Sequence, residues 1–425
     1  MIAWLLISFF VLLFLGVPIA MSLGLSAMGG ILFLGGGSTV TIAQRMFEGM
    51  NSFALLAIPL YTFAGFTMSK GGISKRLMDF CYSIVGHIYG GLAHVNVLSS
   101  MIFAGISGSA VADTAGVSGM FMPEMIRKGY SKNFTVAVTA ISSNIGIIIP
   151  PSIPMVVIAG ICGISTGKLF LGGIIPGVLC GLAQMIVSYF LAKKEGVPKE
   201  PGHFTIGPVL HGLWESWPAL LMPIIIVGTI TMGIVSPTEA GVIAVVYGLF
   251  AGGIIYRELK WEDIKFAFAE TVRTSGRIFI VIGAAKLYTV MLTTAGFDKW
   301  VAKTMLGFST NPTVILIVIL LIFFIVTMFM ESIATLTLFM PILYPIALGV
   351  GINPIVLSVL ITVVIGVGLV TPPVGMCIYV ACDLMDVTVG EVFPTLVPFI
   401  AATFVCIALM VAFPQLILLP TYLMA

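Results

Sequence analysis

Residues 104–123 of the chain read AGISGSAVADTAGVSGMFMP, and residues 329–341 read FMESIATLTLFMP. Each stretch places an acidic residue, Asp113 or Glu331, eight residues before the first residue of a Phe-Met-Pro motif. A carboxylate inside the hydrocarbon region of a membrane costs roughly 3 kcal/mol on insertion scales, so each acid indicates a partner or a function. The two stretches therefore predict a matched pair of polar sites within apolar surroundings.

The duplication extends outward from these stretches in both directions. The motif Leu-Tyr-Thr occurs at 60–62 and returns at 287–289, and a Pro-Pro pair occurs at 150–151 and returns at 372–373. Motifs that recur in the same order indicate internal duplication. We interpret the chain as two repeats, residues 1–210 and residues 211–425.

Composition predicts a membrane protein. Of 425 residues, 59% are hydrophobic and 8% are charged, whereas soluble domains carry about 25% charged residues. Because open strands cannot satisfy their backbone groups in lipid, the apolar runs predict about a dozen membrane helices or re-entrant segments and an all-α polytopic fold. The runs lie at 2–34, 52–69, 80–105, 134–162, 169–192, 217–235, 237–255, 278–296, 312–347, 353–381 and 393–420.

Several function classes are disfavoured by the sequence. No basic run carries interleaved aromatic residues, so nucleic acid is not an expected partner. The polar stretches 193–211 and 256–277 are too short for a nucleotide-binding domain, which argues against an ATP-driven pump. Neither Gly-x-Ser-x-Gly nor His-Glu-x-x-His occurs, so we expect no enzyme. The cysteines lie in apolar segments without metal-ligand spacing and are interpreted as inert thiols: Cys81, Cys162, Cys180, Cys377, Cys382 and Cys406.

Charge placement favours an inverted relation between the repeats. Basic residues follow the first Phe-Met-Pro motif at Arg127, Lys128 and Lys132, whereas no Lys or Arg follows Lys303. Cytoplasmic loops are enriched in Lys and Arg, so the two Phe-Met-Pro motifs are expected to end on opposite sides of the membrane. The loops after the two Leu-Tyr-Thr motifs are both basic, which a strict inversion does not predict. The run at 2–34 lacks a basic leader and is interpreted as a retained membrane helix.

Each repeat is expected to contain a re-entrant hairpin followed by a broken helix. The hairpins are placed at about 95–125 and 312–347, and the broken helices at about 134–162 and 353–381. The small residues at 105–110 suit a reversal inside the membrane, although they also suit a helix-packing seam. Proline disrupts a helix and frees carbonyl oxygens that can bind a cation, although a single proline more often only kinks the helix.

The role of the two carboxylates stays open at this point. Asp113-Thr114 and Glu331-Ser332 could each cap the second arm of a hairpin, or the acid could partner a cation. Lys286 and Glu239 are the other ionisable residues in apolar surroundings, and Lys286 could snorkel, pair or meet an anionic solute. His87 and His94 flank the start of an apolar segment and are interpreted as interfacial.

At these residues the chain resembles the large membrane subunit of the tripartite ATP-independent periplasmic (TRAP) transporters. The matching stretches are Gly71–Leu77, Ile106–Ala110, Ile149–Ile153, Pro237–Ala240 and Thr371–Gly375, spread over nearly the whole chain. The resemblance implies two inverted repeats whose hairpins belong to a mobile transport domain. That domain is expected to move like an elevator against a scaffold in the bacterial inner membrane.

The resemblance also implies a cation and solute site at the hairpin tips and helix breaks. One Na⁺ is expected at Ser107, Gly108, Ser109, Gly146 and Pro150, and a second at Ser332, Thr335, Gly366, Gly368 and Thr371. The solute is expected between the tips, near Ser109, Asn144, Pro151, Thr335 and Pro373. Many relatives carry Asp where Glu331 stands and often Asn where Val364 stands, so the ligand set at the second break is less clearly defined.

The function implied is Na⁺-coupled import of a small organic anion, such as a C4-dicarboxylate, a sialic acid or another sugar acid. The expected partners are a small four-helix membrane subunit on a separate chain and a secreted periplasmic binding protein. The alternative is a standalone Na⁺- or H⁺-coupled symporter or antiporter of organic anions.

Overall fold

The computed structural model describes residues 1–34, 38–197, 199 and 204–424, and in this part of the chain every regular element is a helix. The first half contains α1 Ile2–Phe14, α2 Ile19–Leu34, α3 Thr39–Met50, α4 Ala57–Lys70, α5 Ile73–Val85, α6 Gly91–Ser107, α7 Ala110–Arg127, α8 Lys132–Ser143, α9 Ile153–Cys162 and α10 Thr166–Lys194. The second half contains α11 Ile206–Thr231, α12 Pro237–Phe250, α13 Trp261–Thr294, α14 Phe297–Phe308, α15 Pro312–Thr327, α16 Ser332–Gly349, α17 Pro354–Gly368, α18 Met376–Met385, α19 Val389–Ala412 and α20 Gln415–Leu418.

Seven helical segments among the described residues are long and apolar enough to cross a membrane on their own. They are Phe53–Lys70, Thr166–Lys194, Ile206–Thr231, Pro237–Ile255, Trp261–Thr294, Ser332–Gly349 and Val389–Ala412. Most of the other apolar helices are shorter because the chain reverses or breaks beside them. The second halves of the broken helices, α9 and α18, have 10 residues each, which is about 15 Å of helix and half of a hydrocarbon core.

The apolar run at 2–34 forms two helices, so the interpretation as one membrane helix is wrong. The chain leaves helical geometry after Phe14 and re-enters it at Ile19. Pro18 lacks an amide hydrogen and disfavours helical backbone in the residue before it, which separates α1 from α2. The separation allows α2 to pack beside α1 and against α13.

The two Leu-Tyr-Thr motifs connect the repeats to each other. The Tyr61 hydroxyl on α4 donates to the Pro237 carbonyl at the start of α12, with an O–O distance of 2.8 Å. The Tyr288 hydroxyl on α13 donates to the Leu5 carbonyl on α1 at 2.9 Å. Each tyrosine is buried and bonds to a helix of the other half, so α4 is linked to α12 and α13 to α1.

Chain topology makes the two hairpins enter from opposite sides. Between hairpin one (α6–α7) and hairpin two (α15–α16) the chain passes through the broken helix α8–α9 and then through α10, α11, α12 and α13. These are an odd number of crossings, and α14, with 12 residues, is too short to add another. The arrangement is therefore inverted, although the loops after both Leu-Tyr-Thr motifs are basic.

The core of the molecule lies around the broken helices. Every residue of α8 from Phe134 to Ser143 is buried, and so is every residue of α17 from Ile355 to Gly368. A helix buried on all sides is apolar around its whole circumference. This explains why α17 is almost uniformly aliphatic, and it includes Val364, which is fully packed.

Candidate functional site

The tip of hairpin one is a tight turn through Ser107, Gly108 and Ser109. Gly108 has φ +67°, and a Cβ there would lie 2.7 Å from the Pro151 carbonyl oxygen. Only glycine combines this left-handed backbone with so close an approach. The Ser109 amide donates to Ser107 Oγ at 3.2 Å, so the first serine hydroxyl stabilises the turn.

Each hairpin tip is joined to the facing helix break by a main-chain hydrogen bond. The Ile153 amide, after the first Pro-Pro pair, donates to the Gly108 carbonyl at 3.2 Å. The Val374 amide, after the second Pro-Pro pair, donates to the Met328 carbonyl at 3.0 Å. Such bonds contribute about 0.5–1.5 kcal/mol each. The pairing of hairpins with breaks expected from the sequence is thus present in both halves.

The first break begins with a short 3₁₀ turn, Asn144–Ile147, and ends at Ser152. The Pro150–Pro151 peptide is cis, as is Pro372–Pro373 in the second break. Ser152 Oγ accepts from the Met155 amide at 3.3 Å and caps α9. The chain therefore restarts as a helix immediately after the prolines, and the interruption stays confined to the residues that face hairpin one.

Asp113 lies beside this first break. The residue is 4% exposed, and a Cβ added to Gly146 would collide with Asp113 Oδ2. Asp113 Oδ2 has no hydrogen-bond partner among the described residues. Asp113 sits one turn inside α7, whose N-cap is Ser109. It does not occupy the capping position that the sequence allowed for it.

Asn144 lies where the two breaks meet. It is 3% exposed, and neither its Oδ1 nor its Nδ2 has a partner in the described part of the chain. A Cβ on Gly366 of α17 would lie 3.4 Å from Asn144 Cβ, so the second broken helix packs on this residue. Buried polar atoms are nearly always paired. The oxygens of Asp113 and Asn144 that have no partner among the described residues are therefore suited to bind a ligand.

The turn at the tip of hairpin two is apolar, unlike the turn of hairpin one. It turns through Met328, Phe329 and Met330, and Glu331 is the N-cap residue of α16. The Glu331 side chain makes no capping hydrogen bond within the described residues. Thr335 Oγ1 donates back to the Glu331 carbonyl at 3.1 Å. The tip thus carries a carboxylate at its helix start, with hydroxyls on the following turn.

The second break is packed against hairpin two through a glycine. A Cβ on Gly368 would lie 2.7 Å from Thr327 Cβ at the end of α15. The Thr371 hydroxyl donates to the Val367 carbonyl at 2.7 Å and is buried. Gly366 faces Asn144 rather than hairpin two. Of the second predicted ligand set, Ser332 and Thr335 lie on α16, whereas Gly366, Gly368 and Thr371 lie on and just after α17.

The oxygen atoms at these breaks suit a hard monovalent cation. The described residues contain no group of three or more His, Cys, Asp and Glu side chains placed to hold a metal ion. The two hairpins and breaks present oxygen atoms from carboxylate, amide, hydroxyl and carbonyl groups. Such cations bind to oxygen ligands of this kind in transporters.

The other ionisable residues singled out in the sequence lie elsewhere. The stem of Lys286 packs against Gly49 of α3, so this lysine lies at the contact between α3 and α13 and not at the hairpin tips. Glu239 accepts from the Ser236 amide at 2.7 Å in a capping box at the start of α12. His94 is buried, with Nε2 bonded to the Tyr89 carbonyl at 3.0 Å.

Comparison with known proteins gives one consistent family. Residues 6–416 match the family model described as tripartite ATP-independent periplasmic transporter, DctM component. The sialic acid TRAP transporter large permease protein SiaM of Vibrio cholerae is 35% identical over 96% of this chain and 95% of its own length. The C4-dicarboxylate TRAP transporter large permease protein DctM of Pseudomonas aeruginosa is 35% identical over 95% of this chain and 94% of its own length.

Two further relatives extend the comparison. The isethionate TRAP transporter permease protein DctMQ of Oleidesulfovibrio alaskensis is 36% identical over 92% of this chain, and the chain spans 62% of that protein's length. Among solved structures, the YdaH transporter of Alcanivorax borkumensis superimposes with a TM-score of 0.60 at 12% identity, covering 89% of this chain and 88% of the other. That likeness supports the fold alone. The chain is a multi-pass membrane protein that belongs to the tripartite ATP-independent periplasmic transporter family, as its DctM component.

Proposed function

We propose that this chain is the membrane permease of a Na⁺-coupled, binding-protein-dependent importer of a small organic anion. The observation that carries the proposal is a pair of buried groups at the first break, Asp113 Oδ2 and the Asn144 amide, which have no partner within the described part of the chain. An unpaired carboxylate oxygen in a membrane interior is costly. A cation beside it would offset that cost, which supports coupling of the solute to an ion.

In this proposal each Na⁺ is held between a hairpin tip and the facing break. The first ion takes oxygens from Ser107, Gly108, Ser109, Gly146 and Pro150, next to Asp113. The second takes oxygens from Ser332, Thr335, Gly366, Gly368 and Thr371, next to Glu331. The solute anion lies between the tips, near Ser109, Asn144, Pro151, Thr335 and Pro373, where the nearby cations compensate its charge.

Alternating access is proposed to come from movement of the hairpins and broken helices as one body. The main-chain hydrogen bonds from Ile153 to Gly108 and from Val374 to Met328 support joint motion of each tip with its break. The helices joined by Tyr61 and Tyr288 would form the scaffold. One charge that moves down 100 mV supplies about 2.3 kcal/mol for this cycle.

The proposed partners are a small four-helix membrane subunit and a periplasmic binding protein, acting in the bacterial inner membrane. Relatives are named for C4-dicarboxylates, sialic acid and isethionate, so these compounds are the first solutes to test.

The experiment is uptake into proteoliposomes that contain the chain either with or without its small partner. The three labelled solutes are offered with the binding protein and an inward Na⁺ gradient each present or withheld. Uptake of one solute that requires both additions would support the proposal. Uptake that requires neither protein partner would contradict it and favour a standalone symporter or antiporter, and a proton gradient replacing Na⁺ would identify the coupling ion.

A further inference from the structure

Arg76 on α5 connects three separate parts of the molecule. Its guanidinium pairs with Glu258 at 2.7 Å and lies 4.3 Å from the centre of the Tyr256 ring, both in the loop between α12 and α13. It also donates to the Gly72 carbonyl at 2.7 Å. Its own carbonyl accepts from Ser216 Oγ on α11 at 3.0 Å. We call these four partners and Arg76 the arginine hub.

Glycines in the backbone around the hub allow its groups to approach closely. A side chain at Gly72 would collide with Glu258, and Gly72 has φ +79°, so glycine is required there for two reasons. A Cβ on Gly71 would lie 3.0 Å from Gly252 Cα, so the two chain segments touch through backbone atoms. The Gly252 carbonyl in turn accepts from the Glu258 and Leu259 amides, each at 3.1 Å.

These contacts distinguish the hub from an ordinary surface ion pair. Exposed pairs contribute little, because water screens them and both side chains lose freedom. The Arg76 side chain is 26% exposed, and a planar guanidinium can stack on a ring while it pairs with a carboxylate. Tyr256 is itself held, since its hydroxyl donates to the Glu215 carbonyl at 3.1 Å. Several interactions with one side chain therefore fix the position of α5.

The helix of the second half that matches α5 is α14, and among the described residues it lacks such a hub; we call α5 and α14 the arm helices. α14 also follows a left-handed glycine, Gly296, and the residue four positions later is Trp300 instead of arginine. Trp300 is 59% exposed and stacks on Phe297, within the same helix. Asp298 Oδ1 has no hydrogen-bond partner in the described residues. The first arm is thus tied to a distant loop, whereas the contacts around Trp300 stay local.

We propose that Arg76 is a positioning residue for transport, which fixes the arm helix α5 and so the point at which hairpin one enters the membrane. α5 ends at Val85 and hairpin one begins at Gly91, with a short connection between them. Movement of α5 would therefore be transmitted to Ser107 and Gly108 at the tip. The proposal rests on the transport function inferred above. It adds that hairpin one is positioned by a hub on α5 for which α14 has no equivalent among the described residues.

The test compares four variants in the uptake assay with the small partner and binding protein present. Arg76→Gln and Glu258→Gln each break the ion pair from a different side. Arg76→Lys keeps the charge and loses the planar stack on Tyr256. Lys75→Gln is the matched control, because Lys75 is the exposed neighbour on the same helix and its loss removes the same charge.

We expect Arg76→Gln and Glu258→Gln to lower the maximal uptake rate about fivefold with an unchanged KM for solute, because the hub lies away from the tips. Arg76→Lys should recover part of the rate, and Lys75→Gln should match the unmutated protein. Hydrogen exchange supplies a second readout. The Glu258 and Leu259 amides should exchange faster in Arg76→Gln, and not in Lys75→Gln.

Three results would overturn the inference. The first is an unchanged uptake rate in Arg76→Gln and Glu258→Gln despite faster exchange in the loop. The second is an equal loss of rate in Lys75→Gln, which would show that the loss comes from removing a positive charge on α5 and not from breaking the hub. The third is unchanged exchange at Glu258 and Leu259 in Arg76→Gln, which can be measured even if the unmutated protein takes up no solute. A complete lack of uptake by the unmutated protein would count against the proposed function and not against the role of Arg76.

Discussion

Hairpin one turns through Ser107, Gly108 and Ser109, whereas hairpin two turns through Met328, Phe329 and Met330. At both tips a carbonyl oxygen accepts a hydrogen bond from an amide of the break opposite. Around the first, Asp113 Oδ2 and both polar atoms of Asn144 are buried and have no partner among the residues that the structure describes. In residues 312–385, all of them described, no buried side-chain nitrogen or oxygen is left unpaired.

This difference indicates that the two halves are not equivalent as ligand sites. The first half carries buried coordinating groups that its own fold leaves unsatisfied. Hairpin two and its break satisfy their buried hydroxyls internally, as Thr335 does with the Glu331 carbonyl and Thr371 with the Val367 carbonyl. We therefore expect substitutions at the first break to weaken ion coupling more strongly than the matched substitutions at the second.

The largest expected effect is that of Gly146→Ala against Gly366→Ala. A methyl group at Gly146 would collide with Asp113 Oδ2, whereas at Gly366 the nearest atom would be 3.4 Å away, an ordinary contact distance. We expect Gly146→Ala to lower Na⁺-driven uptake at least about tenfold, a change of ~1.4 kcal/mol, and Gly366→Ala to change it less than about twofold. Because Gly366 packs on Asn144 of the first break, equal losses in the two variants would show that the collision with Asp113 Oδ2 is not the cause of the loss.

A smaller effect is expected when the carboxylates are neutralised. Asp113→Asn should raise the Na⁺ concentration for half-maximal uptake on the order of tenfold, since a buried charge beside the ion is lost. Glu331→Gln should raise it less, because Glu331 lies at a helix start where the helix itself favours a negative charge and not a cation. The measurement is uptake against Na⁺ concentration at fixed solute. A larger shift for Glu331→Gln than for Asp113→Asn would indicate that the second site, and not the first, contributes more to Na⁺ binding.

The smallest effect is expected for Thr335→Ala. Its hydroxyl proton is already used within α16, although the oxygen can still accept a cation, so we expect a shift of about two- to threefold in the same assay. Thr337→Ala is the control, because Thr337 is buried nearby and donates to the Ile333 carbonyl at 2.7 Å. A shift in Thr337→Ala as large as that in Thr335→Ala would indicate a packing effect and not ligation.

The hairpins and breaks were predictable because their signals are local. Phe-Met-Pro and Pro-Pro mark the second arms and the interruptions wherever they occur, and both recur in order. The sequence also contains a local signal for the start of α12, which the sequence analysis above does not use. Ser236-Pro-Thr-Glu239 has the spacing of a capping box, so Glu239 is a helix-start residue and not an isolated charge in an apolar segment.

What the sequence could not indicate depends on residues brought together from afar. Arg76 meets Glu258 only because the loop after α12 folds back on the α4–α5 corner. Which polar atoms stay unpaired is likewise a tertiary property. Asn144 and Thr335 look alike as polar residues at a break or tip, yet only Thr335 finds a backbone acceptor one turn away.

The central claim, that the first break and hairpin one hold the coupling cation, is tested most directly by hydrogen exchange of the unmutated chain with its partner subunit in NaCl and in choline chloride. We expect Na⁺ to slow exchange of the amides at 107–114 and 144–148 more than of those at 328–336, because a ligand protects the segments that bind it. Protection confined to 328–336, or none in either segment, would contradict the account.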